Sequence, residues 1–214
     1  MALSRLNYNS LNVTPVASKG IGFDSGADDL EASLSGAEMV FISKFTSDGS
    51  DDTASFTGLD STYKEYLFIL NNIHCETDNA NLEFNGSDDA SSHSYNIIKT
   101  SNTFESYNNE GGTDAAIGAA PRDIAQGTGF QEICYSLGSD NDQNACGYLH
   151  LFNPSNTTFV KHFIGMFAIA QANNYQNHFG VGGYFNTTAA ITAIQFKMSA
   201  DEIQAGTISL YGIN

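Results

Sequence analysis

Five histidines, three cysteines and 24 carboxylates are the side chains of this 214-residue chain that could do chemistry. His74, His93, His150, His162 and His178 each stand alone, inside or at the end of a strand-like segment. His150 and His162 are spaced to meet on neighbouring strands, but a half-buried strand histidine is the simpler account of each. His74 precedes Cys75, and adjacent strand residues point to opposite faces, which argues against a nucleophile–base pair there. Cys75, Cys134 and Cys146 are odd in number and form no C-x-x-C. They read as reduced thiols, with a Cys134–Cys146 pairing across a hairpin as the alternative. The carboxylates gather in turns: Asp48, Asp51 and Asp52 around Gly49-Ser50, Asp88 and Asp89 after Gly86-Ser87, and Asp140 and Asp142 about Asn141. Asp in a turn bonds the local backbone and needs no ligand to explain it. Asp140-Asn141-Asp142 has the oxygen spacing of a calcium loop, without the glycine and terminal bidentate Glu of an EF-hand, so a solvated turn is expected. There is no G-x-S-x-G elbow, Walker loop, H-E-x-x-H or dinucleotide fingerprint. A paired-carboxylate glycosidase is a minor alternative. No catalytic residue, cofactor or metal ligand is assigned.

The elements around these residues read as strands, because β-branched and aromatic runs alternate with Gly, Asn, Asp and Ser clusters. Strands are expected over 38–45, 53–57, 64–73, 80–86, 93–100, 129–135, 147–152, 158–169, 178–185, 191–198 and 206–213. In 191–198, Thr192, Ile194, Phe196 and Met198 fall on one face, and Ala193, Gln195 and Lys197 on the other. In 159–167, Phe159, Lys161, Phe163 and Phe167 share a face, opposite Val160, His162, Ile164 and Met166. A strand apolar on both sides belongs inside a sandwich or against a neighbouring subunit. Helix signals are confined to 28–35 and 114–124. The stretch 101–128 shows no strand periodicity and reads as a long functional connection. About eleven strands joined in this way predict an all-β fold: a β-sandwich, jelly-roll-like rather than a meander.

Composition narrows the function. The net charge is -16, only 15% of residues are charged, and 41% are hydrophobic. Eight scattered cations cannot neutralise a phosphate backbone, so nucleic-acid binding is not expected. The apolar content is too high for wholesale disorder. No apolar run reaches the length of a signal peptide or membrane span, so no membrane partner is expected. The first 36 residues differ from the rest. Leu3, Leu6, Tyr8, Leu11, Val13 and Val16 are sparse apolar residues in a polar background that cannot form its own core. They are the candidate anchoring arm, extended at residues 1–36, which must pack on its own domain, on a sister subunit or on a partner, ahead of a jelly-roll-like sandwich domain at residues 37–214.

Several phrases resemble structural proteins of tailed phages, marine ones and cyanophages in particular. Ser61-Thr62-Tyr63-Lys64-Glu65-Tyr66-Leu67-Phe68 is followed by Asn72-Ile73-His74, Thr77-Asp78-Asn79 and Leu82-Glu83-Phe84, like the family's Y-x-x-Y-x-F strand with an N-I-H turn after it. Asp140-Asn141-Asp142-Gln143, Gly147-Tyr148-Leu149-His150-Leu151-Phe152-Asn153-Pro154-Ser155 and Phe159-Val160-Lys161-His162-Phe163 also resemble it. So do Gly183-Tyr184-Phe185-Asn186-Thr187-Thr188, Ile191-Thr192-Ala193-Ile194 and the closing Gly206-Thr207-Ile208-Ser209-Leu210-Tyr211-Gly212-Ile213. The resemblance spans Glu38 to Asn214. It implies a non-enzymatic virion protein, made in a bacterial host's cytoplasm, with a sandwich or jelly-roll domain and no catalytic residues.

Two expectations follow. The first is a capsid decoration, or cement, protein on the outer head surface, a homo-oligomer favouring a trimer, with its arm gripping the major capsid protein or another virion protein. The alternative is a tail fibre or tail-tip, receptor-binding protein touching host-surface glycans, for which Tyr107-Asn108-Asn109 and Asn173-Asn174-Tyr175 offer stacking rings and amides.

Overall fold

The structure, a computed structural model, describes Met39–Asn214 and two short strands before it, β1 (Gly22–Phe23) and β2 (Leu30–Glu31). The chain divides into two units, Met1–Glu38 and Met39–Asn214. In the first, β1 and β2 pair antiparallel, Gly22 opposite Glu31. The proposed anchoring residues Leu3, Leu6, Tyr8, Leu11, Val13 and Val16, and the helix signal at 28–35 apart from β2, lie outside the described residues.

The second unit is built of strands alone among its described residues: β3 (Met39–Thr46), β4 (Thr53–Thr57), β5 (Glu65–Cys75), β6 (Ala80–Ser87), β7 (Lys99–Asn109), β8 (Ala115–Ala119), β9 (Gln131–Leu137), β10 (Ala145–Phe152), β11 (Lys161–Ala170), β12 (Tyr175–Phe185), β13 (Ala193–Met198) and β14 (Ile203–Ile213). They form two antiparallel sheets, of order β3-β14-β5-β10-β11-β12-β7-β8 and β4-β13-β6-β9. Setting aside the inserted pairs β7–β8 and β11–β12 leaves eight strands. Counted along the chain, the first neighbours the eighth, the second the seventh, the third the sixth and the fourth the fifth. Four antiparallel pairs rolled up in this way make a jelly roll, which disposes of most sheet edges by folding the ribbon onto itself. The two insertions widen one sheet to twice the other.

Alternation explains the core. Along β5, Tyr66, Phe68 and Leu70 point inward, and Leu67 and Ile69 outward. Phe56, Phe68, Phe84, Phe163, Phe185 and Phe196 meet between the sheets, with Phe68 and Phe196 centroids 5.3 Å apart and Phe84 and Phe163 5.1 Å apart, both edge-to-face. Each such pair contributes about 0.5–1.5 kcal/mol beyond the burial of its surface.

The structure corrects several expectations. The stretch 101–128 is no long connection: it carries most of β7 and all of β8, and the jelly-roll order holds without it. Nor is 114–124 helical, since β8 lies within it. Residues 93–98 form no strand. His93 is held at φ 47, and the Tyr95 carbonyl is taken by the Asn85 amide at 2.9 Å instead of a ladder partner. The N-I-H turn implied by the resemblance is a kink inside β5, with Asn72 at φ 51. Phe159 lies outside β11 and is exposed, because the Asn156 side chain accepts from the Thr158 and Phe159 amides and delays the strand to Lys161. Within β11, Lys161, Phe163 and Phe167 do share the inner face, while His162, Ile164 and Met166 face out.

Candidate interaction surfaces

Wherever the wide sheet is covered on one side only, its other face is visible, and that face is unusually apolar. Three rows cross it in register. One runs Phe41, Tyr211, Leu67, His150, Ile164, Gly182, Asn102 from β3 to β7. The next runs Lys44, Ser209, Ile69, Tyr148, Met166, Gly180, Phe104, and on to Ala119 of β8. The third carries Met39, Ile213, Glu65 and Phe152, then His162, Tyr184 and Thr100. Met39, Phe41, Phe104, Tyr148 and Ile164 are 40–56% exposed. Glu65 is the one carboxylate in these rows, and it lies 3.4 Å from His150 Nδ1 without an aligned hydrogen bond. Gly180 admits the Phe104 ring against its backbone; a Cβ there would sit 2.3 Å from it. Beside it a groove of about 410 Å³ opens over Gly182, walled by Phe152, His162, Ile164 and Tyr184. At eight strands about 4.8 Å apart and rows about 6.8 Å apart, the face covers on the order of 700 Å², close to one side of a standard protein interface.

Both margins of this sheet are open among the described residues. β3 pairs only with β14 and β8 only with β7. All five residues of β8 are exposed, Ile117 at 81%. Since every pairing is antiparallel, the first and eighth strands run in opposite directions.

A second concavity lies at the end of β7. The chain brings the tips 107–109 and 173–175 together through the Tyr175–Asn109 and Asn177–Tyr107 register pairs, and Glu110 N donates to Asn174 O at 3.1 Å. Tyr107 and Tyr175 rings stand 5.6 Å apart, edge to face. Tyr175 donates its hydroxyl to Asp114 Oδ2 at 2.8 Å, and this bond raises the Tyr175 pKa. Tyr135 forms the inner wall. Its hydroxyl donates to Glu105, and burial followed by that bond pushes it up to about 12. The cleft measures about 250 Å³. The sequence singled out its two tips. Asp114 and Tyr135 were missed, since neither has a local signal.

The histidines are dispersed. His150 stands opposite Ile164 and His162 opposite Tyr184, so the two do not pair across strands. His74 Nε2 lies 3.0 Å from Asp140 O. All three cysteines are free, which removes the Cys134–Cys146 pairing: Cys134 is buried on β9 in the narrow sheet, and Cys146 is half-buried on the outer side of β10 in the wide one. Burial pushes the Cys75 and Cys134 thiols up, away from thiolate character. Asp140-Asn141-Asp142 opens a turn closed by Gln143 N on Asp140 O at 2.9 Å. Among the described residues no group of three or more His, Cys, Asp or Glu is placed to hold a metal. The turn carboxylates behave as local caps: Asp89 accepts from Ser91 and Ser92 amides and hydroxyls, which hold it well below the usual range. Comparison of the chain with family models, with curated proteins and with solved structures gives no match.

Proposed function

We propose that the protein acts by assembly: a non-enzymatic structural protein of a phage particle, a decoration protein of the outer head surface, working as a closed homo-oligomer. The observation that carries this reading is the outer face of the wide sheet, about 700 Å² in all, where large apolar side chains outnumber polar ones and Glu65 is the one carboxylate in the three rows, on a chain of net charge -16. Exposed apolar surface of that extent is characteristic of interaction sites. The occupant is a second copy. Two copies of a chain this acidic repel each other least where carboxylates are missing, and the three rows hold only Glu65. The two open margins fit the same occupant. Rotation about an axis parallel to the strands sets β8 of one copy beside β3 of the next, already antiparallel, and a repeated heterologous contact of this kind closes into a ring when the rotation is a whole fraction of a turn. A trimer with the apolar faces turned toward its axis satisfies both features. Jelly rolls recur in viral shells, and the resemblance to tailed-phage structural proteins points the same way. The residues 1–36 then serve attachment to the major capsid protein or another virion protein.

Light scattering of the purified protein tests the assembly, with a trimer expected that Ile164→Lys or Tyr148→Glu reduces to monomer without loss of the β spectrum. Gold-labelled antibody on intact particles tests the place, with label expected on heads and lost on deletion of residues 1–36. A monomer at millimolar concentration, or label confined to tails, refutes the reading.

A further inference from the structure

The cleft between Tyr107 and Tyr175 shares no residue with the three outward rows, and its chemistry is different. Its lining joins two tyrosine rings to Asp114, Asn173 and Ser136, with Tyr135 behind. The framework is fixed before any ligand arrives. Asn109 Oδ1 accepts from the Thr113 and Asp114 amides at 2.9 and 3.1 Å, which sets the turn carrying Asp114. Tyr175 then holds one oxygen of the Asp114 carboxylate. On the other wall Ala172 N donates to Ser136 O at 3.0 Å and Asn174 N to Gln171 O at 3.0 Å, so the 171–174 turn is anchored to β9. Glu105 accepts from the Tyr135 hydroxyl and, at 2.6 Å, from Asn177 Nδ2, which locks the inner ring. What is left over is specific. Asp114 Oδ1, the Tyr107 and Ser136 hydroxyls and the Asn173 amide form no hydrogen bond with the described residues, while the tyrosine pair presents ring surface beside them.

We propose that this cleft binds one neutral hexose unit of an oligosaccharide. A hexose has an apolar C–H face that an aromatic ring covers. Its adjacent hydroxyls donate to a carboxylate and exchange hydrogen bonds with amides and hydroxyls. Preset polar groups converging on an aromatic wall are what orient a small ligand. The cleft, at about 250 Å³, falls just under the ~300–1,000 Å³ typical of larger ligands, which suits a single ring with its neighbours in solvent. Charge fixes the class further. Among the described residues no lysine or arginine lines the cleft. Arg122, over the Tyr135 ring at 4.6 Å, is paired with Glu132 at 3.3 Å. An acidic sugar would meet Asp114 with nothing to offset it, so uronic and sialic acids are rejected. The inference does not rest on the assembly reading, and either can fail without the other.

The test is a titration of the full-length protein, followed through the tyrosine ring resonances by NMR, with maltose, lactose and chitobiose against galacturonic acid and N-acetylneuraminic acid. Saturable shifts of the Tyr107 and Tyr175 resonances with at least one neutral disaccharide, and none with the acids, are expected. Asp114→Asn should weaken that binding about tenfold, the scale of one charge-assisted hydrogen bond. Tyr107→Ala should abolish it and Tyr107→Phe retain most of it. A panel in which no neutral sugar moves these resonances at tens of millimolar overturns the proposal. So does equal binding of the acids, or shifts that map to Tyr148 and Tyr184 on the sheet face.

Discussion

Lys99 and Lys161 face into the sandwich on either side of Phe185, one from each strand flanking β12. Both side chains are fully buried, yet among the described residues neither ammonium has a carboxylate partner: Lys99 donates to the carbonyls of Gly129 and Ile97, Lys161 to that of Thr187 at 3.2 Å. The long stems fill core volume and the ends reach backbone oxygens. Burial, slightly offset by Glu83, lowers Lys99 to about 8, and burial lowers Lys161 too. For Lys99 the consequence has a sign. Between about pH 8 and the ordinary lysine value near 10.5, the unfolded chain binds more protons than the folded one, so folding gains stability as pH rises. The gain is complete above the unfolded value and absent below the folded one. Wild type should therefore gain on the order of 1–2 kcal/mol over Lys99→Met between about pH 7.5 and about pH 9.5 in urea melts. The comparison cancels the opposing high-pH effect of the buried thiols. A pH-independent difference would show that the amine is already solvated. Period-two spacing put Lys161 on the face of Phe163 and Phe167. It could not reveal that the charge is satisfied by carbonyls distant in sequence.

Alternation of apolar residues located ten of the strands to within a few residues, because all of them but the marginal β3 pack one face on the core. β7 and β8 escaped for a definite reason. The inner face of β7 is polar: Ser101 bonds Gln131, Thr103 donates to the Ala120 carbonyl at 2.6 Å, and Glu105 accepts from Tyr135 and Asn177. A strand whose buried side is made of hydroxyls and a carboxylate carries no hydrophobic period. β14 shows the reverse error, since a glycine that reads as a strand boundary stands inside the strand. Gly206 has φ 116 and lies where the β14–β5 register slips, facing the kink at Asn72. A Cβ at Gly206 would stand 2.6 Å from Asn72 O and 2.8 Å from Ile73 Cα. Left-handed strain and backbone contact add, so Gly206→Ala should cost about 2–4 kcal/mol in chemical denaturation. Gly182→Ala is the control: on β12 its Cβ meets only Asn102 Oδ1 at 3.7 Å, and a change within about 0.5 kcal/mol is expected. Equal losses at the two positions would mean that β14 is free to relax its bulge.

Charge is arranged at the scale of the whole molecule. The described turns hold Asp48, Asp51, Asp52, Asp88, Asp89, Asp140 and Asp142, whereas the rows across the wide sheet hold Glu65 alone. The sequence made the acidic turns legible, because each carboxylate has a local backbone role. It did not reveal the bare sheet face, because outward residues of β5, β10 and β11 look like core in a one-dimensional pattern. The two-sided apolar run at 159–167 is the one visible trace of it, since such a strand belongs inside a sandwich or against a neighbour; in the structure one side of β11 is inside and the other open. This segregation decides how assembly should respond to salt. An oligomer held by ion pairs loosens as ions screen them. One held by apolar contact between copies of net charge -16 does the opposite, since screening removes their mutual repulsion while the apolar term stays. Raising sodium chloride from about 0.05 M to about 0.5 M should therefore shift sedimentation toward the oligomer and slow its dissociation, and the Glu65→Gln variant should respond in the same direction. Dissociation on adding salt would place the contact among the acidic turns and remove the sheet face as its seat.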